Sequence, residues 1–172
     1  YALMRTEQAA LYAATLLKLM EKNRKAEEAP DASSPSGRMA RRGLVLKLIT
    51  SLKEICNSPS QYSKTEALRP DSGKADAMLE VLGQCLESDR KVLIFTQYRE
   101  MGERLQAWIE AATGERPDFL HGGVSRTERM KMVDRFQTDR TARIFILSLK
   151  AGGTGLNLTA ASAVIHYDLW WN

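Results

Sequence analysis

Apolar residues recur at helical spacing along residues 6–26, with Leu11, Leu16, Leu19 and Met20 as the set expected to be buried. A second helical pattern covers residues 43–56, carries Leu44, Leu48, Leu52 and Ile55 on one side, and stops at Asn57-Ser58-Pro59. Residues 27–43, between them, are rich in Pro, Ser, Gly and charge, which predicts a flexible, solvated loop. Residues 1–59 therefore read as an antiparallel helical hairpin, and the polar residues 60–71 as a connector.

From residue 72 onward the pattern alternates. Residues 74–86 give a helix burying Ala75, Met78, Leu79, Leu82 and Leu86, and residues 91–96 give a strand. A helix over 99–112 buries Met101, Leu105, Trp108 and Ile109 and is stopped by Thr113-Gly114. A short strand at 118–121 ends in Gly122-Gly123. The next helix, 125–137, opens with the capping-box residues Ser125 and Glu128 and places Met130, Val133 and Phe136 inward. Two further apolar runs, 144–149 and 163–169, read as buried strands. Strands alternating with helices predict an α/β fold, a parallel sheet with helices on both faces. Continuous apolar strands fit a sheet buried on both sides.

Composition narrows this only slightly. The chain has 172 residues, a net charge of +4 and two cysteines, Cys56 and Cys85, without metal-ligand spacing. The mild basicity tolerates a polyanion without requiring one. The cysteines read as reduced core residues of a cytosolic protein. No run reaches the length of a membrane span, so no membrane partner is expected. Tyr1 stands in what reads as the middle of a helix, which suggests a piece of a longer protein.

Ligands of open parallel sheets bind beyond the carboxyl ends of the strands. The unusual clusters all fall there: Thr96-Gln97-Tyr98, His121-Gly122-Gly123, residues 148–155 and residues 168–172. A strand running into Lys150-AGGTG-Leu156 lets backbone N–H groups approach a phosphate. Phosphate-cleaving equipment is absent from the sequence. It has no GxxxxGK[ST] loop and no acidic pair after a strand. His121 and His166 lack a nucleophile or metal-ligand partner at any known spacing, and His166 reads as a sheet residue. Arg99, Arg126 and Arg129 read as helix-surface charges. The residues by themselves thus describe a phosphate-binding half without a catalytic centre.

SGK at 72–74, VLIFTQYREM at 92–101, FLHGG at 119–123, SLKAGGTGLNLTAAS at 148–162 and DLWWN at 168–172 resemble the second motor lobe of SWI/SNF-type ATPases. These are double-stranded-DNA translocases of helicase superfamily two, and the variant here is most similar to bacterial ones. ICNSP at 55–59 resembles the segment preceding that lobe, with Ser58 where a histidine is usual. The resemblance implies a RecA-like lobe over 72–172 with a helical protrusion before it. It implies a DNA track formed by Thr96, Gln97, His121, Gly122, Gly123, Ser148, Lys150, Ala151, Gly152 and Trp171. Gly153, Gly155 and Asn157 would lie nearer the nucleotide, and Trp170 would serve packing. ATP and Mg2+ would be bound mainly by a first lobe of the same polypeptide, with none expected on this chain alone. Family members carry paired arginines in a helix after the WN pair, a position beyond Asn172. An arginine finger contributes about 10³–10⁵ in rate, so this chain by itself is expected to be inactive; it is expected, separately, to be monomeric. Expected partners are double-stranded DNA, the first lobe, and a DNA-bound complex such as RNA polymerase, in the cytoplasm at the bacterial nucleoid. Two other readings stay open: a non-catalytic nucleic-acid or protein docking module, and a Rossmann-type nucleotide-binding domain. Against the latter, no GxGxxG follows the first strand.

Overall fold

The computed structural model describes residues 2–152 and 155–169. The chain divides into two compact units, one formed by residues 1–66 and 71–74, the other by 67–70 and 75–172.

The first unit is a helical hairpin. Helix α1 spans Thr6–Glu27 and α2 spans Pro35–Asn57, followed by the short α3, Pro59–Ser63. The second helix begins at Pro35, eight residues before the expected start. Ser34 caps it by accepting a hydrogen bond from the Gly37 N–H at 2.9 Å, and Pro35 takes the first helical position, where its missing N–H costs nothing. The expected flexible loop over 27–43 thus contracts to a turn at 28–34. Gln8, at the start of α1, donates to the carbonyls of Ile55 (2.8 Å) and Cys56 (3.2 Å) at the end of α2, which fixes the helices antiparallel. Gln8 and Thr15 are buried, whereas Met20, expected inside, is 54% exposed.

Polar contacts replace much of an apolar core here. Ser58 Oγ donates to Asp71 Oδ1 at 2.6 Å and accepts from the Ser60 hydroxyl, and the Ser60 N–H donates to Asp71 Oδ2. The Ser72 hydroxyl donates to the Asn57 carbonyl, and Lys74 Nζ to Asn57 Oδ1 at 2.7 Å. Burial pushes the Cys56 thiol above its ordinary pKa, with nearby Lys74 opposing.

The second unit holds the sheet. Helix α4 (Gly73–Glu87) leads into β1 (Val92–Thr96), α5 (Arg99–Thr113), β2 (Asp118–Leu120), α6 (Arg126–Thr138), β3 (Ile144–Ser148), the single turn α7 (Leu149–Gly152) and β4 (Ala163–His166). The strands are parallel in the order β2-β3-β1-β4. Successive strand residues point to opposite faces. Val92, Ile94, Ile144 and Ile146 join Met78, Leu82, Met101, Leu105 and Trp108 in one core. Leu93, Phe145 and Leu147 join Phe136 and Ala151 in the other. A parallel sheet covered by helices on both faces is thereby shown. Trp108 is fully buried, and its Nε1 donates to the Ala67 carbonyl at 2.9 Å. Two expectations differ. Met130 is exposed on α6. The last strand alternates between half-buried and exposed residues and ends at His166, because β4 lies at a margin of the described sheet.

Candidate nucleic-acid interface

Parallel pairing brings the carboxyl ends of all four strands to one edge. Thr96 pairs in register with Ser148, Phe95 with His166, and Leu120 with Leu147. At about 4.8 Å per strand, the four ends span roughly 14 Å.

Thr96 is fully buried, and its hydroxyl donates to Asp168 Oδ2 at 2.7 Å. The Gln97 N–H donates to Asp168 Oδ1, also at 2.7 Å. The sequence-derived role of Thr96 as a DNA contact is therefore corrected for its side chain: the hydroxyl is spent inside, joining the end of β1 to the segment after β4. Gln97 is different. Its side chain is half-buried, and Nε2, itself buried, has no hydrogen-bond partner.

His121 is half-buried, with its ring tilted against Phe119 at a 5.0 Å centroid distance. Its Nδ1 accepts from the Gly123 N–H at 3.0 Å. In the neutral ring, that bond places the proton on Nε2 and makes it a donor. The same bond occupies the Gly123 N–H, on an exposed residue. Gly122 is exposed, and a Cβ there would meet nothing within 4 Å.

The expected glycine loop after β3 begins as a helical turn instead. Ser148 Oγ accepts from the Ala151 N–H at 3.3 Å, and Ala151 packs in the second core, so these side chains hold the turn from within. Lys150 is exposed between them. Arg129, read from sequence as a surface charge, donates through Nη2 to the Ala151 carbonyl at 2.9 Å and ties α6 to the turn. Gly152 ends the described turn. Gly155 is exposed with φ of 66°, a conformation that suits glycine. Asn157 is exposed, and its carbonyl accepts from Gln137 Nε2 at 3.3 Å. Gly153, Trp170 and Trp171 lie outside the described residues.

The edge thus offers an imidazole and an exposed lysine, beside a buried and unpartnered Gln97 amide, on a backbone held by Asp168, Ser148 and Arg129. That chemistry suits binding an anion. No group of three or more His, Cys, Asp or Glu side chains that could hold a metal ion occurs among the described residues.

Comparison with known proteins decides the family. Residues 73–172 match the helicase conserved C-terminal domain. The Sulfolobus solfataricus SWI2/SNF2 ATPase C-terminal domain superposes with a TM-score of 0.84 at 32% identity, over 100% of this chain and 71% of that one. The chain belongs to the helicase C-terminal domains of the SWI2/SNF2 type. The SWI2/SNF2 ATPase core of the same organism in complex with dsDNA matches this lobe at 30% identity with a TM-score of 0.85, over 100% of this chain and 34% of that one. The Bacillus subtilis protein YwqA is 45% identical over 137 residues, 78% of this chain. The chain spans about 15% of the length of YwqA. Its RecA-like fold follows from the same structural match, and the Rossmann alternative falls away.

Proposed function

We propose that this SWI2/SNF2-type lobe is the second half of an ATP-driven motor that translocates on double-stranded DNA. The observation that carries the reading is the alignment of β1, β2 and β3 ends, with Gln97, His121 and the Lys150 turn on one edge. A solved SWI2/SNF2 core in complex with dsDNA, matched over the whole lobe, supports it. In this reading His121, Gly122 and Lys150 meet the DNA backbone, and Gln97 joins them once its buried side-chain amide turns outward. Thr96, Gly123, Ser148 and Ala151 hold them in place, and Gly152 lets the backbone come close. Trp171 would add a contact to the groove, and Gly153, Gly155 and Asn157 would face the nucleotide. Contacts to phosphate position a duplex without reading its sequence.

The described residues supply no carboxylate cluster or phosphate loop for ATP and Mg2+, so nucleotide binding is assigned mainly to a first lobe of the full-length protein. ATP would supply the free energy for movement, and this lobe's residues would hold the track. The setting is the bacterial cytoplasm at the nucleoid, with a DNA-bound complex such as RNA polymerase as an obstacle on the track.

ATP hydrolysis by the full-length protein, with and without duplex DNA and with this chain as control, tests the reading. DNA should stimulate the full-length protein and leave the chain inactive. Lys150→Ala should lower the DNA-stimulated rate severalfold more than the basal rate. Equal loss of both rates would move Lys150 to the nucleotide site or the fold. A full-length protein inactive under both conditions would replace the motor with a docking module.

A further inference from the structure

The helical hairpin carries a surface that the motor reading does not use. Arg38, Met39, Arg42, Val45 and Leu46 fall on one face of α2, spaced at i, i+1, i+4, i+7 and i+8, and with Asn23 of α1 they line an open groove of about 990 Å³. Met39 is 77% exposed, Leu46 65% and Val45 42%. Single exposed apolar residues are ordinary on a protein surface. Three on one helical face, rimmed by arginines, are the anatomy of an interaction site. No acidic residue lines this groove. Among the described residues no carboxylate pairs with Arg38 or Arg42; the Arg38 guanidinium donates to the Ser33 carbonyl instead. Arg41 is partly offset by Glu27 at 3.4 Å. Two buried groove atoms, Asn23 Oδ1 and Arg41 Nε, have no hydrogen-bond partner, so the chain alone leaves the polar lining incomplete.

We propose that this groove docks an acidic amphipathic helix of a separate protein. Charge complementarity sets the sign of the partner, with Asp and Glu side chains meeting Arg38 and Arg42. The apolar residues set its kind. A phosphate backbone would engage the arginines but leave Met39, Val45 and Leu46 in water, whereas a helix with apolar anchors buries them. From Arg38 to Leu46 the face runs about 12 Å, or two helical turns, which matches anchors at i, i+3 or i+4, and i+7 on the partner. Nothing in the proposal depends on the strand-end edge, and failure of the motor reading would leave it standing.

The test is fluorescence anisotropy with a synthetic helix of about 18 residues, Leu and Phe at the anchor positions and Glu elsewhere. A copy with Lys in place of Glu and a labelled DNA duplex are the comparisons, each titrated with the chain and with the full-length protein. The acidic peptide should bind at least about tenfold more tightly than the basic one. Met39→Ser and Leu46→Ser together should weaken it about tenfold or more, as should Arg42→Glu, with unchanged thermal melting, since all three side chains are exposed. Absence of binding, or equal binding of the two peptides, overturns the proposal. If duplex DNA displaces the peptide and only the Arg42 change matters, the groove is a phosphate surface. Binding to the chain but not to the full-length protein would mean that another segment of the same polypeptide covers the groove, which also overturns a separate partner.

Discussion

Asp168 is 4% exposed and accepts two hydrogen bonds of 2.7 Å, one from the Thr96 hydroxyl and one from the Gln97 N–H. Each bond to a charged acceptor is worth about 1.5–3 kcal/mol, and removing the acceptor leaves both donors buried and unpaired. Asp168→Ala should therefore lower the stability of the chain by about 3 kcal/mol in urea unfolding. Asp168→Asn, which keeps one oxygen acceptor, should lose less. An Ala variant within about 0.5 kcal/mol of the parent would show that the two donors find water instead. This residue also marks where sequence reading reached its limit. The four strand-end clusters were legible from glycine placement and the geometry of parallel sheets, but which side chains face outward was not. Thr96, the last residue of β1, turns its hydroxyl inward to a carboxylate 72 positions away, and the Gln97 side-chain nitrogen beside it is buried without a partner. Arg129 carried no signal at all: its carbonyl partner lies 22 residues on, and only the packed fold brings the two together.

The packing of α5 on β2 depends on a glycine at the element scale. A Cβ built on Gly102 would lie 2.1 Å from Phe119 Cζ, inside the first core. Phe119 is 5% exposed and has little room to retreat. Gly102→Ala gains helix propensity of about 1 kcal/mol but forces overpacking that costs about 1–3 kcal/mol. The variant should be destabilised on balance, and Phe119→Leu in the same chain should recover part of the loss. A double-mutant cycle measures that coupling, and a coupling near zero would mean that the helix shifts as a whole. Helix α5 matched the expectation from sequence because a strong apolar stripe ends at Gly114, whose φ of 76° suits the stop. Helix α2 started earlier than expected because Ser34-Pro35, a cap and a first-turn proline, sat within residues whose overall composition suggested a loop. Met20 and Met130 satisfy a helical period yet stand outside, since periodicity shows that a face exists but not how wide its cover is.

Over the whole molecule, a net charge of +4 and a strand-end edge about 14 Å long limit how strongly one lobe can hold DNA. Such an edge reaches only a few phosphates. Each neutralised phosphate contributes about −0.9 to the slope of log K against log salt concentration, and Lys150 is the exposed lysine of this edge, so the isolated chain should show a shallow slope of about −1 to −2. Its affinity for duplex DNA should fall in the nonspecific range of about 10⁻⁴–10⁻⁶ M, with no preference among sequences. Lys150→Ala should reduce the slope by about one, because it removes a single cation from the edge. Arg42→Ala, in the hairpin groove, should leave the slope unchanged. Anisotropy titrations of a labelled duplex from low to physiological salt separate these outcomes. A flat salt dependence would mean that contact is not made through phosphates, and a tight, sequence-selective complex would require base-reading side chains beyond those on this edge. If Lys150→Ala and Arg42→Ala both change the slope, the phosphate contacts extend to the hairpin, and the division of labour between the two units fails with them.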